Sequence, residues 1–241
     1  MNSPSPYKGN VKIFADGADR ASMLELVKNP LVKGLTTNPS LMKKSGVRDY
    51  KAFCLDILSH IKTHPISFEV FADDFKEMHR QALEIKSWGS NVYVKIPITN
   101  SLGKSSIELI KTLSHQGVKL NVTALFTFEQ VTETVRALTG GAPSIVSVFA
   151  GRVADTGRDP MPLMKASVEL CKAADKNIEL LWASSRELFN VVQADIAGCH
   201  IITCTADIIK KMSLLNKDLT ELSLETVQTF KADAESAGFQ L

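Results

Sequence analysis

Strand-like and helix-like runs take turns along almost the whole chain, and no other feature restricts the fold as tightly. Apolar or alternating runs rich in β-branched and aromatic residues occupy Lys12–Ala15, Leu31–Leu35, Ile66–Phe71, Asn91–Thr99, Val118–Leu125, Ser144–Ala150, Asn177–Ala183 and Cys199–Thr205. Helical patterns follow them at Arg20–Lys28, capped by Asp19, and at Tyr50–Lys62, Asp73–Trp88, Ser105–His115 and Phe128–Leu138. Further helical patterns cover Met161–Ala174, Glu187–Ala194 and Ala206–Met212, with a longer one near Ser223–Ser236. Thr36–Ser40 reads as a strand end and a proline-fixed loop. Strands alternating with helices pair in parallel through right-handed crossovers. Eight such units in 241 residues match a closed (β/α)8 TIM barrel. A doubly wound open sheet is the alternative, but no GxGxxG follows the first strand. No composition shift marks a linker, so the expectation is one α/β domain over 12–241, closing on the C-terminal helix, with 1–11 a flexible tail.

Composition narrows the function. Charged residues make up 22% of the chain and the net charge is only +2, with both signs mixed. That speaks against a nucleic-acid or membrane-surface protein, which would carry a basic block or face. Cys54, Cys171, Cys199 and Cys204 lack CxxC spacing and read as buried thiols of a reducing compartment. Met1–Asn10 is polar and has no apolar h-region, and no apolar run nears the roughly 20 residues of a membrane span. A cytoplasmic protein is the expectation. His60 and His64 have helical i,i+4 spacing but no evident third ligand, so no metal is expected. Trp88 and Trp182 read as packing residues.

A barrel puts its chemistry at the C-terminal ends of its strands. The polar residues there are Asp16, Asn38, Glu69, Lys95, Asn121, Thr123, Ser147, Arg152, Ser184 and Arg186, drawn from seven strands. Lys95 stands out within Asn91–Thr99, where Val92, Val94 and Ile96 share one face and Tyr93, Lys95 and Pro97 the other. Loss of hydration disfavours the charged form of a buried lysine and exposes a nucleophilic amine. A snorkelling lysine in a structural ion pair is the competing reading. Polar residues at so many strand ends favour chemistry: an amine for Schiff-base formation with a carbonyl, and Asp16 or Glu69 as proton carrier. Two arginines on neighbouring strand ends suit a phosphate.

Four segments carry a resemblance: Leu35–Ser40 (LTTNPS), Val92–Pro97 (VYVKIP), Leu120–Phe126 (LNVTALF) and Val148–Arg152 (VFAGR). From about Lys12 to about Met212 the chain resembles transaldolases, in the short branch that also contains fructose-6-phosphate aldolases. The resemblance implies a class I aldolase-like barrel without cofactor, acting on sugar phosphates as a homo-oligomer. It implies that Lys95 forms the Schiff base and Asp16 takes the proton of the C4 hydroxyl as the C3–C4 bond breaks. Glu69 and Thr123 would hold a catalytic water, and Asn38 and Asn121 the dihydroxyacetone portion. Ser147, Arg152, Ser184 and Arg186 would surround the sugar hydroxyls and phosphate. Phe149 stands where the aldolase relatives place a tyrosine, and Glu69 where they tend to have a glutamine. Both differences imply transfer of a dihydroxyacetone unit between ketose and aldose phosphates, as in the pentose phosphate pathway. Fructose 6-phosphate or sedoheptulose 7-phosphate would donate, and erythrose 4-phosphate or glyceraldehyde 3-phosphate would accept. Release of free dihydroxyacetone is the enzymatic alternative, and a sugar-phosphate-binding barrel without turnover the non-enzymatic one. Two positions depart from the family pattern: Gly17, where a threonine is common, and Ser185, where an aromatic is common.

Overall fold

The computed structural model describes residues 7–240. They fall into two compact units, and one of these, Gly9–Ile209, holds the whole barrel. In the barrel unit the order is β1 (Lys12–Asp16), α1 (Arg20–Leu26), β2 (Val32–Thr36), α2 (Pro39–Lys44), α3 (Tyr50–His60), β3 (Ile66–Glu69) and α4 (Phe75–Lys86). It continues with β4 (Val92–Pro97), α5 (Ile107–His115), β5 (Leu120–Leu125), α6 (Phe128–Leu138), β6 (Ser144–Val148), α7 (Ala150–Asp155) and α8 (Met161–Ala174). β7 (Ile178–Trp182), α9 (Phe189–Ala197) and β8 (Ile201–Thr205) complete the barrel, and α10 (Ala206–Lys211) follows. The second unit is built on the chain from Lys210 onward and contains α11 (Leu219–Ala237), which has no buried residue.

All eight strands are parallel, each bonded to its sequence neighbours, and β1 pairs with β8 to close the sheet. Side-chain alternation sorts the two faces. Phe68, Val94, Ile96 and Val122 are fully buried on the helix-covered side. Inside the barrel, Phe14, Ile145, Leu181, Ala183 and Ile201 form an apolar plug against which Tyr93 and Phe149 pack. One layer toward the strand C-termini, the inward residues turn polar. Gly34 makes room for the plug: a Cβ there would meet the Phe14 ring at 2.5 Å.

The helices start where side chains satisfy their orphan amides. Asp19, Asp49 and Asp74 each accept from a first-turn backbone N–H, and Thr127 forms a capping box with Gln130. Two short helices are absent from the sequence reading. Pro39 opens α2 rather than a loop, because Asn38 caps it and proline is preorganised for a first helical position. α7 begins right behind β6, with only Phe149 between them, so no turn signal separates it from the strand. Phe71 lies beyond the end of β3 and is 65% exposed, so the strand is shorter than the run Ile66–Phe71. Asn10 and Val11 donate their backbone N–H groups to Asp195 Oδ1, and Val11 is buried; residues 1–6 lie outside the described residues. The four cysteines are free and buried. Among the described residues no helix is long and apolar enough to cross a membrane.

Candidate active site

The polar layer opens into a cavity of about 330 Å³ at the C-terminal mouth of the barrel. Asp16, Asn38, Glu69, Lys95, Asn121, Thr123, Ser147, Phe149, Arg152 and Ser184 all line it. The topology explains the convergence: Glu69 pairs in register with Lys95, and Lys95 with Asn121, so parallel neighbours present consecutive side chains on one inner face.

Lys95 is 7% exposed. Its Nζ donates to Thr37 O at 3.0 Å and lies 3.1 Å from Glu69 Oε2. The ion pair that competes with a nucleophilic role for Lys95 is therefore present, but it lies in the cavity. A buried pair contributes little net stability, because desolvation offsets its attraction. The carboxylate of Glu69 is at the same time within reach of the amine's protons. Thr123 Oγ1, in the C-terminal half of β5, is buried and has no hydrogen-bond partner among the described residues.

Asp16 faces the same space from β1. Burial raises its pKa, opposed by a hydrogen bond from Thr36 and by the nearby Lys95 charge, while Glu69 adds to the rise. Thr36 Oγ1 donates to Asp16 Oδ1 at 2.7 Å. Asn121 is tied into the wall: its Nδ2 donates to Ser67 Oγ at 2.9 Å and its Oδ1 accepts from Ser147 Oγ at 2.6 Å. Asn38 spends its Oδ1 on the Leu41 N–H as helix cap, at 2.9 Å, and among the described residues its amide N–H groups meet no acceptor.

The outer rim is set by β6, β7 and the segments after them. Arg152, on α7 rather than in a loop, stacks over the Phe149 ring at 5.0 Å, and Phe149 packs against Phe126. Ser184 has φ 60°, a left-handed conformation that is costly for a residue with a Cβ. Gly151 permits it, since a Cβ at 151 would lie 1.6 Å from Ser184 O. Arg186 is the one expected site residue absent from the cavity wall. Its guanidinium forms paired contacts with Asp155, at 3.2 Å and 2.5 Å, with both side chains half exposed.

Thr36 and Thr203 also line the cavity and were not among the expected site residues. Both lie on the inward phase of their strands, a signal present in the alternation of Gly34/Thr36 and Ile201/Thr203. Ser185 donates to Thr203 O at 2.8 Å, so its small side chain fastens the segment after β7 to β8. A Cβ at Gly17 would meet nothing within 4 Å, so space does not require glycine there. His60 bonds locally with Ser59 and the Asp56 carbonyl, and no cluster of three potential metal ligands occurs among the described residues.

The family described as Transaldolase/Fructose-6-phosphate aldolase matches residues 13–241. A protein named probable transaldolase from Dehalococcoides mccartyi is 34% identical over 226 residues, covering 94% of this chain and 99% of that protein. Another of that name, from Methanococcus maripaludis, is 36% identical over 226 residues, covering 94% and 98%. Among solved structures, dihydrodipicolinate synthase from Rhodopseudomonas palustris aligns with a TM-score of 0.55 at 15% identity, over 89% of this chain and 79% of that one. The tryptophan synthase alpha subunit from Campylobacter jejuni gives 0.55 at 15%, over 89% and 93%. At those identities the two structures bear on the barrel fold alone.

Proposed function

This chain belongs to the transaldolase/fructose-6-phosphate aldolase family, an aldolase-type enzyme family, and we propose that within it the protein acts as a transaldolase. The observation that carries the reading is the Lys95–Glu69 pair, 3.1 Å apart in a cavity shared with Asp16. In this reading Lys95 Nζ, deprotonated, attacks the C2 carbonyl of a ketose phosphate. Loss of water, held between Glu69 and the unpartnered hydroxyl of Thr123, gives the iminium. Asp16 then takes the C4 hydroxyl proton as the C3–C4 bond breaks, and the bonding pair moves toward the iminium nitrogen to leave an enamine. The aldose phosphate departs. An acceptor aldose phosphate adds to the enamine by the reverse steps, and hydrolysis frees Lys95.

Asn38 would donate to the dihydroxyacetone hydroxyls with the amide protons that capping leaves free. Asn121 would contribute its remaining N–H, and Ser147 its place beside it. Arg152 and Ser184 would meet the phosphate at the rim. Arg186, held by Asp155, would assist from outside the cavity wall. Donors and acceptors would be those of the pentose phosphate pathway, in the cytoplasm. Leu222, Val227 and Phe230, exposed on α11, are candidates for a face shared between copies of the chain.

Trapping tests the reading. Borohydride with fructose 6-phosphate should add a reduced dihydroxyacetone to Lys95 and inactivate the enzyme. Label on a different lysine, or full activity in Lys95→Met, would reject it.

A further inference from the structure

Asp16 does not stand alone in the barrel wall. Its Oδ1 accepts from Thr36 Oγ1 at 2.7 Å, and Thr36 Oγ1 lies 2.5 Å from Thr203 Oγ1. Thr36 is 3% exposed and Thr203 6%, so the two hydroxyls exchange little with bulk water. They come from β2 and β8, the two strands that flank β1 in the closed sheet. A hydroxyl has one proton to donate. If Thr36 gives its proton to the carboxylate, the second bond requires Thr203 to donate to Thr36. The chain is then directed from Thr203 to Thr36 to Asp16 Oδ1.

A proton on Oδ1 would force both hydroxyls to turn. Thr203 would become the end of the chain, its own proton facing no protein acceptor among the described residues. Oδ2 has no such commitment and no donor among the described residues. Ser185 holds the Thr203 backbone from the other side, through its bond to the Thr203 carbonyl at 2.8 Å.

We propose that Thr203 and Thr36 are positioning residues for Asp16: their directed hydroxyl relay engages Oδ1 as an acceptor and leaves Oδ2 for the proton exchanged with the substrate. The inference rests on the reading of Asp16 as the proton acceptor. In the cleavage step the C4 hydroxyl proton goes to Oδ2, the C3–C4 pair goes into the enamine, and the C4 oxygen keeps its electrons as the new aldehyde. Addition of the acceptor returns the same proton from Oδ2, so the relay itself gains and loses none. The hydrogen bond from Thr36 also works against burial, favouring the ionised carboxylate that the cleavage step needs.

The experiment compares wild type with Thr36→Val, Thr203→Val, Thr203→Ser and Asp16→Asn. Two readouts are used: the pH dependence of fructose 6-phosphate turnover with erythrose 4-phosphate, and the titration of Asp16 by NMR on enzyme labelled with [γ-13C]aspartate. Removing a donor to the carboxylate should move the Asp16 titration and the acid limb of the rate profile to higher pH. Thr36→Val should show the larger move and Thr203→Val a smaller one in the same direction. Thr203→Val should also lower kcat by about 2- to 10-fold, the worth of one ordinary hydrogen bond, with KM little changed. Thr203→Ser should restore both. Wild-type titration in both valine variants, or a serine variant as impaired as the valine one, would overturn the relay. The NMR titration reads Asp16 even in a variant that no longer turns over. Asp16→Asn separates the two claims. If it is inactive while the valine variants titrate normally, the relay alone falls; if it turns over like wild type, the Asp16 reading falls and the relay with it.

Discussion

The raised pKa of Asp16 links its chemistry to the stability of the fold. A carboxyl whose folded pKa lies above its unfolded value binds protons more readily when folded. Stability therefore falls as pH rises from the ordinary carboxylate range through the raised folded value, and above it the full penalty remains. Asp16→Asn removes that penalty while its side-chain oxygen can still accept from Thr36. It should raise the thermal midpoint at neutral pH and abolish turnover, whereas borohydride trapping at Lys95 should survive. Calorimetry at pH 7 checks the first claim, and a lowered midpoint would contradict it. Arg152 belongs to the same scale. Its cation sits over Phe149 with no carboxylate partner among the described residues, unlike Arg186. Arg152→Ala should weaken transition-state binding of a phosphorylated acceptor by about 2–5 kcal/mol and of a non-phosphorylated aldehyde much less. Equal losses in kcat/KM for the two acceptors would assign the arginine to structure.

Among the elements, α2 shows how one residue serves fold and site together. Asn38 caps the helix with Oδ1, and its amide protons remain available at the mouth. Asn38→Asp keeps an acceptor for the Leu41 amide and adds a charge that a helix N-terminus favours, so unfolding should be nearly unchanged. The same change removes the donors, and turnover should drop by at least about tenfold, a hydrogen bond of about 1.4 kcal/mol or more in the transition state. Asn38→Ala should lose about 1 kcal/mol of stability as well. Denaturant unfolding beside steady-state kinetics separates the two roles, and equal stability losses in both variants would remove the cap from the account. At the rim, α7 and the segment after β7 meet as a fixed pair through Gly151 and the strained Ser184. The second departure from the family pattern, Ser185, fits this corner by bonding Thr203 rather than by filling space.

For the whole molecule the question is transfer or release. Phe149 lines the cavity and cannot donate a hydrogen bond, and the carboxylate of Glu69 lies against Lys95. In the proposed mechanism an enamine beside Phe149 would have no phenolic proton from that residue to quench it and would wait for an acceptor aldehyde. Fructose 6-phosphate alone should be consumed slowly, and erythrose 4-phosphate should accelerate its consumption strongly. Phe149→Tyr should raise dihydroxyacetone release and lower the transfer-to-release ratio. Wild-type protein that frees dihydroxyacetone equally fast without an acceptor would instead be an aldolase.

The sequence alone determined the closed barrel, because strand–helix alternation repeated eight times leaves parallel pairing and closure as its natural outcome. It also determined which side chains share the inner face, since the period of a strand is two: Lys95, Glu69, Asn121 and Asp16 follow from phase and position. α2 and α7 were hidden by their surroundings: Pro39 behind a strand end reads as a loop, and α7 abuts the end of β6 with no turn signal between them. Tertiary structure alone decided partners. Arg152 and Arg186 look alike along the chain, yet one stacks on Phe149 in the cavity and the other pairs with Asp155 outside it. Thr203, the contribution of the eighth strand, became a candidate only when closure brought β8 and β2 to either side of β1. Local patterns fix the direction in which a side chain points, but the atoms it meets are set by the pairing of strands far apart in sequence.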